Sequence, residues 1–113
     1  MVKNQSTAEY YQWGEVCEGW RLLDRSDLSV IQERIPPGGG EVRHLHHRAR
    51  QLFFVISGRL QIDFDSETFG LEPGDSLEVP PQQPHRVRNV SAADAVFLVV
   101  SAPTTRGDRE NLD

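Results

Sequence analysis

The stretch Gly38-Gly39-Gly40-Glu41-Val42-Arg43-His44-Leu45-His46-His47-Arg48-Ala49-Arg50-Gln51-Leu52-Phe53-Phe54-Val55-Ile56-Ser57-Gly58 decides how the chain is read. A glycine run leads into two histidines separated by one residue. In an extended strand side chains alternate faces, so His44 and His46 project the same way, about 6.6 Å apart along the strand. Two imidazoles on one face are half of a site for a transition metal. Further on, Gln51 opens an apolar run that ends at Gly58. It shares parity with Phe53 and Val55 and so points into the interior they fill. A fourth candidate ligand, His85, lies far along the chain behind glycines and prolines of its own.

Working outward, the flanking segments read as short strands. Leu60, Ile62 and Phe64 alternate with polar residues, the pattern of a half-buried hairpin partner to 51–56. Turn chemistry at 65–67 and at Glu72-Pro73-Gly74-Asp75 brackets a strand over 68–71. Strands follow over 76–79, 85–90 and 95–100, and upstream over 19–23 and 28–35. No segment carries a convincing helical period. Many short strands with closely spaced turn signals predict an all-β sandwich or barrel.

Residues 1–113 form one domain with a core over 19–101 in this reading. Residues 1–12 and 102–113 are expected to be flexible or to serve as interface arms. The runs 52–56 and 96–100 are apolar on both faces. One face fills the interior, and the other requires a second sheet or a second subunit, which points to a homodimer. On 28–35 both faces carry apolar residues, so parity leaves open which of Gln32, Glu33 and Arg34 faces inward.

The 113 residues carry a net charge of −5, which argues against a nucleic-acid partner, since that needs a basic face. Cys17 is the single cysteine, so an intramolecular disulfide is excluded; it reads as a half-buried small residue. No apolar run is long enough for a membrane span and no signal-peptide pattern is present, which makes the cytoplasm the expected compartment. His47 falls one step off the ligand parity and is expected at the rim or in solvent. Arg43, Arg48 and Arg50 read as a solvated turn. Trp13 and Trp20 read as packing or interface residues.

The spacing Gly38, five residues, His44-Leu45-His46, four residues, Gln51, six residues, Gly58 resembles the first motif of the cupin superfamily, with Gln51 where that motif has glutamate. Gly74, five residues, Pro80-Pro81-Gln82, two residues, His85, three residues, Asn89 resembles the second, with Gln82 in place of glycine. The resemblance implies a double-stranded β-helix, the jelly-roll barrel of cupins. It also implies a divalent transition metal, Fe, Ni, Zn or Mn, on His44, His46, Gln51 and His85. A neutral Gln51 leaves the metal's charge uncompensated and favours an anionic small-molecule ligand.

The resemblance leaves the reaction open, because this barrel hosts different chemistries. The His-His-Gln-His set looks like that of small cupins that act on sugar-derived or keto acids as lyases or isomerases, and of cupin polyketide cyclases. In the uronate-processing members an acid on the last barrel strand would fall near Val100, which is not acidic; a tail arginine would fall near Arg106, which matches. A three-histidine Fe(II) dioxygenase and a non-catalytic binding module are the alternatives. No catalytic acid or base is assigned from sequence.

Overall fold

The structure, a computed structural model, describes residues 2–112. Among them run eleven strands: β1 (Glu9–Trp13), β2 (Cys17–Asp24), β3 (Ser29–Ile35), β4 (His44–His46), β5 (Arg50–Ser57), β6 (Leu60–Phe64), β7 (Thr68–Leu71), β8 (Ser76–Val79), β9 (His85–Arg88), β10 (Ala95–Ala102) and β11 (Arg109–Asn111). They form two antiparallel sheets, β1-β2-β3-β10-β5-β8 and β11-β4-β9-β6-β7. The chain is all-β, as its turn spacing predicts. No helix among the described residues is long and apolar enough to cross a membrane.

Period-2 alternation sets the interior. On β5, Gln51, Phe53 and Val55 are buried, and on β10 Ala95, Phe97, Val99 and Ser101 are buried. From the facing sheet come Leu60, Ile62 and Val87. Phe53 and Phe97 meet with ring centroids 6.0 Å apart. The turn between β5 and β6 depends on Gly58. Its φ is +74°, and a Cβ there would stand 2.0 Å from the Asp94 carbonyl oxygen.

The other faces of the two apolar strands differ. On β10 Val96, Leu98 and Val100 are half-buried, whereas on β5 Leu52, Phe54 and Ile56 remain 40%, 39% and 45% exposed. None of the described residues covers that stripe fully.

β3 resolves what parity left open. Ser29, Ile31 and Ile35 are buried, and Glu33 shares their face and lines the internal cavity. Arg34 points outward, donating to Glu18 Oε1 at 2.6 Å and to Asp94 at 3.0 Å. Cys17 is fully buried rather than half-buried, because the turn at Gly14 and the separate segment at Gly39 both pack against its sulfur.

The terminal arms depart most from expectation. Residues 9–13 form β1, paired along β2 from Glu9↔Arg21 to Trp13↔Cys17. Residues 109–111 form β11, paired on β4 from Arg109↔His46 to Asn111↔His44. Neither strand carries an apolar run, so neither announces itself by hydropathy; backbone pairing to an existing sheet edge holds each in place. Asp108 ties the tail further: its carboxylate, 4% exposed, accepts from the Arg48 N–H at 3.0 Å and the Ala49 N–H at 2.8 Å.

Candidate metal centre

β4 and β9 are neighbours in one sheet, with His44 directly opposite His85. Alternation along β4 puts His46 beside His44, and β5 brings Gln51 from the facing sheet. The structure buries all four residues that the sequence singles out: His44 is 2% exposed, His46 6%, Gln51 6% and His85 1%. The three histidines offer ring nitrogens that all lie within 4.8 Å of one another.

The hydrogen bonds around the rings orient them. His44 Nδ1 lies 3.0 Å from the Val42 carbonyl oxygen, and His85 Nδ1 lies 2.9 Å from that of Gln83. A carbonyl only accepts, so each Nδ1 carries the proton and each Nε2 keeps its lone pair. This is the backbone brace that fixes metal-ligating imidazoles. His85 Nε2 and His46 Nδ1 are buried without a protein partner, and so is Gln51 Oε1. Gln51 Nε2 donates to Ser101 Oγ at 3.3 Å, which commits the amide's other end to the interior. Burial, and for His44 and His46 the neighbouring His85, press the rings toward their neutral form. His44 is held down to about 3 and His46 to about 4, and burial lowers His85 as well. Neutral imidazoles with orphaned nitrogens fit a borderline divalent transition metal.

His44, His46 and Gln51 open onto a cavity of about 270 Å³. Its wall also holds groups the motifs do not include: Tyr11, Arg21, Glu33, Glu41 and Arg109. Glu41 accepts from Arg109 Nη1 at 3.3 Å and from the Val87 N–H at 3.3 Å, and it lies 3.7 Å from His44 Nδ1. The Tyr11 hydroxyl donates to Glu33 Oε2 at 2.8 Å, and the Arg21 guanidinium stacks 4.5 Å above the Tyr11 ring. Burial pushes both carboxyls up, Glu33 to about 8 with help from the charge on Glu41, and Glu41 to about 7 against the pull of Arg109.

The remaining sequence assignments fall as follows. Val100 faces away, half-buried on the outer side of β10; the inward positions there are Val99 and Ser101, so the last barrel strand supplies no acid. Arg106 borders the cavity, but its guanidinium is bound by Asp24, with Nη2 to Oδ2 at 2.8 Å. His47 is exposed and pairs with Glu110 at 2.8 Å. Trp13 packs on the core and also lines the cavity. Asn89, the last residue of the second motif, is structural: its buried amide donates to the carbonyls of Ile35 and Ala93 at 2.9 and 2.7 Å.

Tyr11 had one readable signal, the shared parity of Tyr11 and Trp13. Glu41 had none, because it precedes β4 in an irregular segment where parity does not apply.

Known proteins share this architecture. A sugar phosphate isomerase from a cupin superfamily, from Silicibacter pomeroyi, superposes with a TM-score of 0.81 at 25% identity, covering 92% of this chain and 76% of the other. An uncharacterised Methanocaldococcus jannaschii protein is 27% identical over 75 residues, 66% of this chain and 60% of its own length. The polyketide synthase CurC of Streptomyces cyaneus is 37% identical over 67 residues, 59% of this chain and 44% of its own. The chain thus spans about half the length of these curated relatives. The cupin-domain family model matches residues 31–101, a span holding all three histidines and Gln51, and the chain belongs to the cupin family.

Proposed function

We propose that His44, His46 and His85, with the Gln51 amide oxygen, hold one divalent transition metal, and that the site acts on a small anionic keto acid or sugar-derived acid in a lyase or isomerase type of reaction. The observation that carries this reading is the unpartnered Gln51 Oε1 buried beside three clustered histidines, two of them braced by backbone carbonyls. The bound metal would supply a Lewis acid for a carbonyl or carboxylate oxygen. The protein's own residues do the rest. Gln51 adds no negative charge to the ligand set. Arg21 and Arg109 bring positive charge to the cavity wall, Glu41 offsets part of it, and the raised Glu33 carboxyl offsets little of it near neutrality. Together these select an anion, and Phe53, Val87 and Val99 form the apolar wall beside it.

The test is a titration of the Zn(II)-loaded protein with pyruvate, with D-glucuronate and with neutral glucose, followed calorimetrically. The two carboxylates are expected to bind and glucose is not. Equal binding of all three, or of none, ends this reading. Oxygen uptake by the Fe(II)-loaded protein on addition of a substrate would move the site to the dioxygenase class. Gln51→Glu is expected to tighten the metal and weaken the anion, because it removes one unit of net positive charge.

We also propose that the stripe Leu52, Phe54 and Ile56 seats a second copy of the chain, since three half-exposed apolar side chains in a row resemble an interface rather than a solvated face. Sedimentation of wild type and Phe54→Glu checks it, with a dimer and a monomer expected respectively. A lone thiol without a disulfide suits the cytoplasm.

A further inference from the structure

We infer that Glu33, held by Tyr11, is the group that takes a proton from the substrate and returns it; the inference rests on the keto- or sugar-acid reading above. The last barrel strand offers no acid to the interior. The cavity nevertheless holds a carboxyl group on β3, the neighbour of that strand in the same sheet, positioned by the edge strands β2 and β1.

The construction is specific. Glu33 lies opposite Gly19 on β2, and Gly19 lies opposite Tyr11 on β1. Because residue 19 has no side chain, the Tyr11 ring lies flat across β2; a Cβ at Gly19 would stand 2.3 Å from Tyr11 Cζ. The phenol therefore reaches over one strand to the next and donates to Glu33 Oε2 at 2.8 Å. Arg21, one strand in from β1, stacks on the same ring and fixes its plane. This leaves Glu33 Oε1 without a hydrogen-bond partner among the described residues, on a residue that lines the same cavity as His44, His46 and Gln51. A purely structural carboxyl would be expected in an ion pair. Arg34, its neighbour in sequence, instead turns outward to Glu18 and Asp94.

The step balances without an oxidant. The Glu33 carboxylate takes the proton from a carbon next to the substrate's keto group. The electron pair of that C–H bond moves toward the carbonyl oxygen and leaves an enolate. The Glu33 carboxylic acid then returns the proton to the same carbon or to its neighbour, giving exchange or isomerisation. The charged and titratable groups facing Glu33 are Tyr11 on β1, Cys17 and Arg21 on β2, Glu41 in the loop before β4, and Arg109 on β11. Phe97, opposite on β10, brings none. Burial first, then the charge of Glu41, push the Glu33 carboxyl up to about 8, while the Tyr11 hydrogen bond opposes them. The group is therefore an acid at neutrality and becomes a base within reach of it, the poise that acid–base chemistry uses.

The experiment loads the protein with Zn(II), adds pyruvate in D2O and follows loss of the methyl proton signal by NMR. Wild type is expected to exchange the protons at a rate that climbs with pH through about 8. Glu33→Gln, which still accepts from Tyr11, is expected to lose about a hundredfold in rate with zinc stoichiometry and pyruvate affinity unchanged. Tyr11→Phe is expected to keep the reaction and move its pH limb upward. Independent of turnover, carboxyl-carbon NMR of the metal-free protein should show a titration near 8 that Glu33→Gln removes. Undiminished exchange in Glu33→Gln overturns the inference, and so does an ordinary carboxylate titration for Glu33. Wild type that binds pyruvate without exchanging it overturns the proton role while the anion-binding reading stands. Wild type that binds no pyruvate brings down that reading, and this one with it.

Discussion

Two clusters of buried side chains share one cavity. In the first, three imidazoles stand with ring nitrogens within 4.8 Å, pressed toward neutrality, with His44 and His85 braced by backbone carbonyls. In the second, Glu33 and Glu41 are carboxyls pushed up by burial, one bonded to Tyr11 and the other to Arg109. The histidine cluster sits on two short strands, β4 and β9, that are neighbours in one sheet. The carboxyl cluster is collected from β1, β3, a loop and the C-terminal tail. Only the first cluster meets the donor requirements of a soft-to-borderline metal, and only the second offers a proton near neutral pH. Glu41 joins them, 3.7 Å from His44 Nδ1 and close enough for its charge to raise Glu33.

The largest expected effect separates the two clusters outright. His46→Ala removes a proposed ligand that is 6% exposed and is expected to abolish stoichiometric metal, as read by elemental analysis of the purified protein. Glu33→Gln is expected to retain one metal per chain. If His46→Ala keeps its metal, the histidine cluster is not the metal site and the division fails. If Glu33→Gln loses its metal, the two clusters are one ligand set.

How much of each cluster could be read from sequence follows from this construction. The His44 and His46 parity and the inward face of Gln51 are local strand properties, and local periodicity carries them; His85 joins them through the spacing that resembles the second cupin motif. Glu33 lay among three candidates because Val30 and Ile31 put apolar residues on both faces of β3; the inward register emerges only from pairing with β10. Arg109 was hidden in a polar tail that gains its order from β4 and Asp108 rather than from its own hydropathy. Tyr11 reaches the cavity only because Gly19 is bare, a relation between two strands that no single-strand pattern contains.

That relation gives the next effect. Gly19→Ala places a methyl group against the Tyr11 ring, 2.3 Å from Cζ before relaxation. Overpacking of this kind costs about 1–3 kcal/mol, here with loss of the Tyr11–Glu33 hydrogen bond. Urea unfolding should show the cost in wild type and little of it when Tyr11 is already alanine. Metal content is expected to stay the same in both. An equal cost in the two backgrounds would mean that the clash lies elsewhere and that Tyr11 owes nothing to Gly19.

The clusters should also respond to pH with opposite signs in the metal-free protein. The folded histidines bind protons less readily than unfolded ones, with His44 at about 3 and His46 at about 4 against an ordinary 6.5. Their contribution is fully present above 6.5 and is lost as pH falls through that range. The folded carboxyls bind protons more readily, with Glu33 at about 8 and Glu41 at about 7 against 4.5. Their contribution is fully present below 4.5 and is lost as pH rises toward 8. Urea midpoints between pH 4 and pH 9 are therefore expected to fall at both ends. Glu33→Gln should flatten the alkaline side and leave the acid side in place; the reverse outcome would exchange the roles assigned to the two clusters.

The smallest effect concerns a backbone position in the histidine cluster, the counterpart of Gly19. Gln82 stands where the motif it resembles has glycine, and its φ is +64°. Its N–H donates to the His46 carbonyl oxygen at 2.6 Å, so this turn helps to hold β4. A side chain in the left-handed region costs about 1–2 kcal/mol, and glycine's extra freedom in the unfolded chain returns roughly half of that. The Gln82 side chain is exposed and gives up little packing. Gln82→Gly is therefore expected to stabilise the protein by about 0.5–1 kcal/mol, seen as a small rise in the thermal midpoint with metal stoichiometry unchanged. A fall in the midpoint would show that the side chain contributes more than its backbone conformation costs. The two positions then differ in kind: at residue 19 the fold uses a glycine to let a side chain cross, and at residue 82 it tolerates the lack of one because the hydrogen bond to His46 holds the turn.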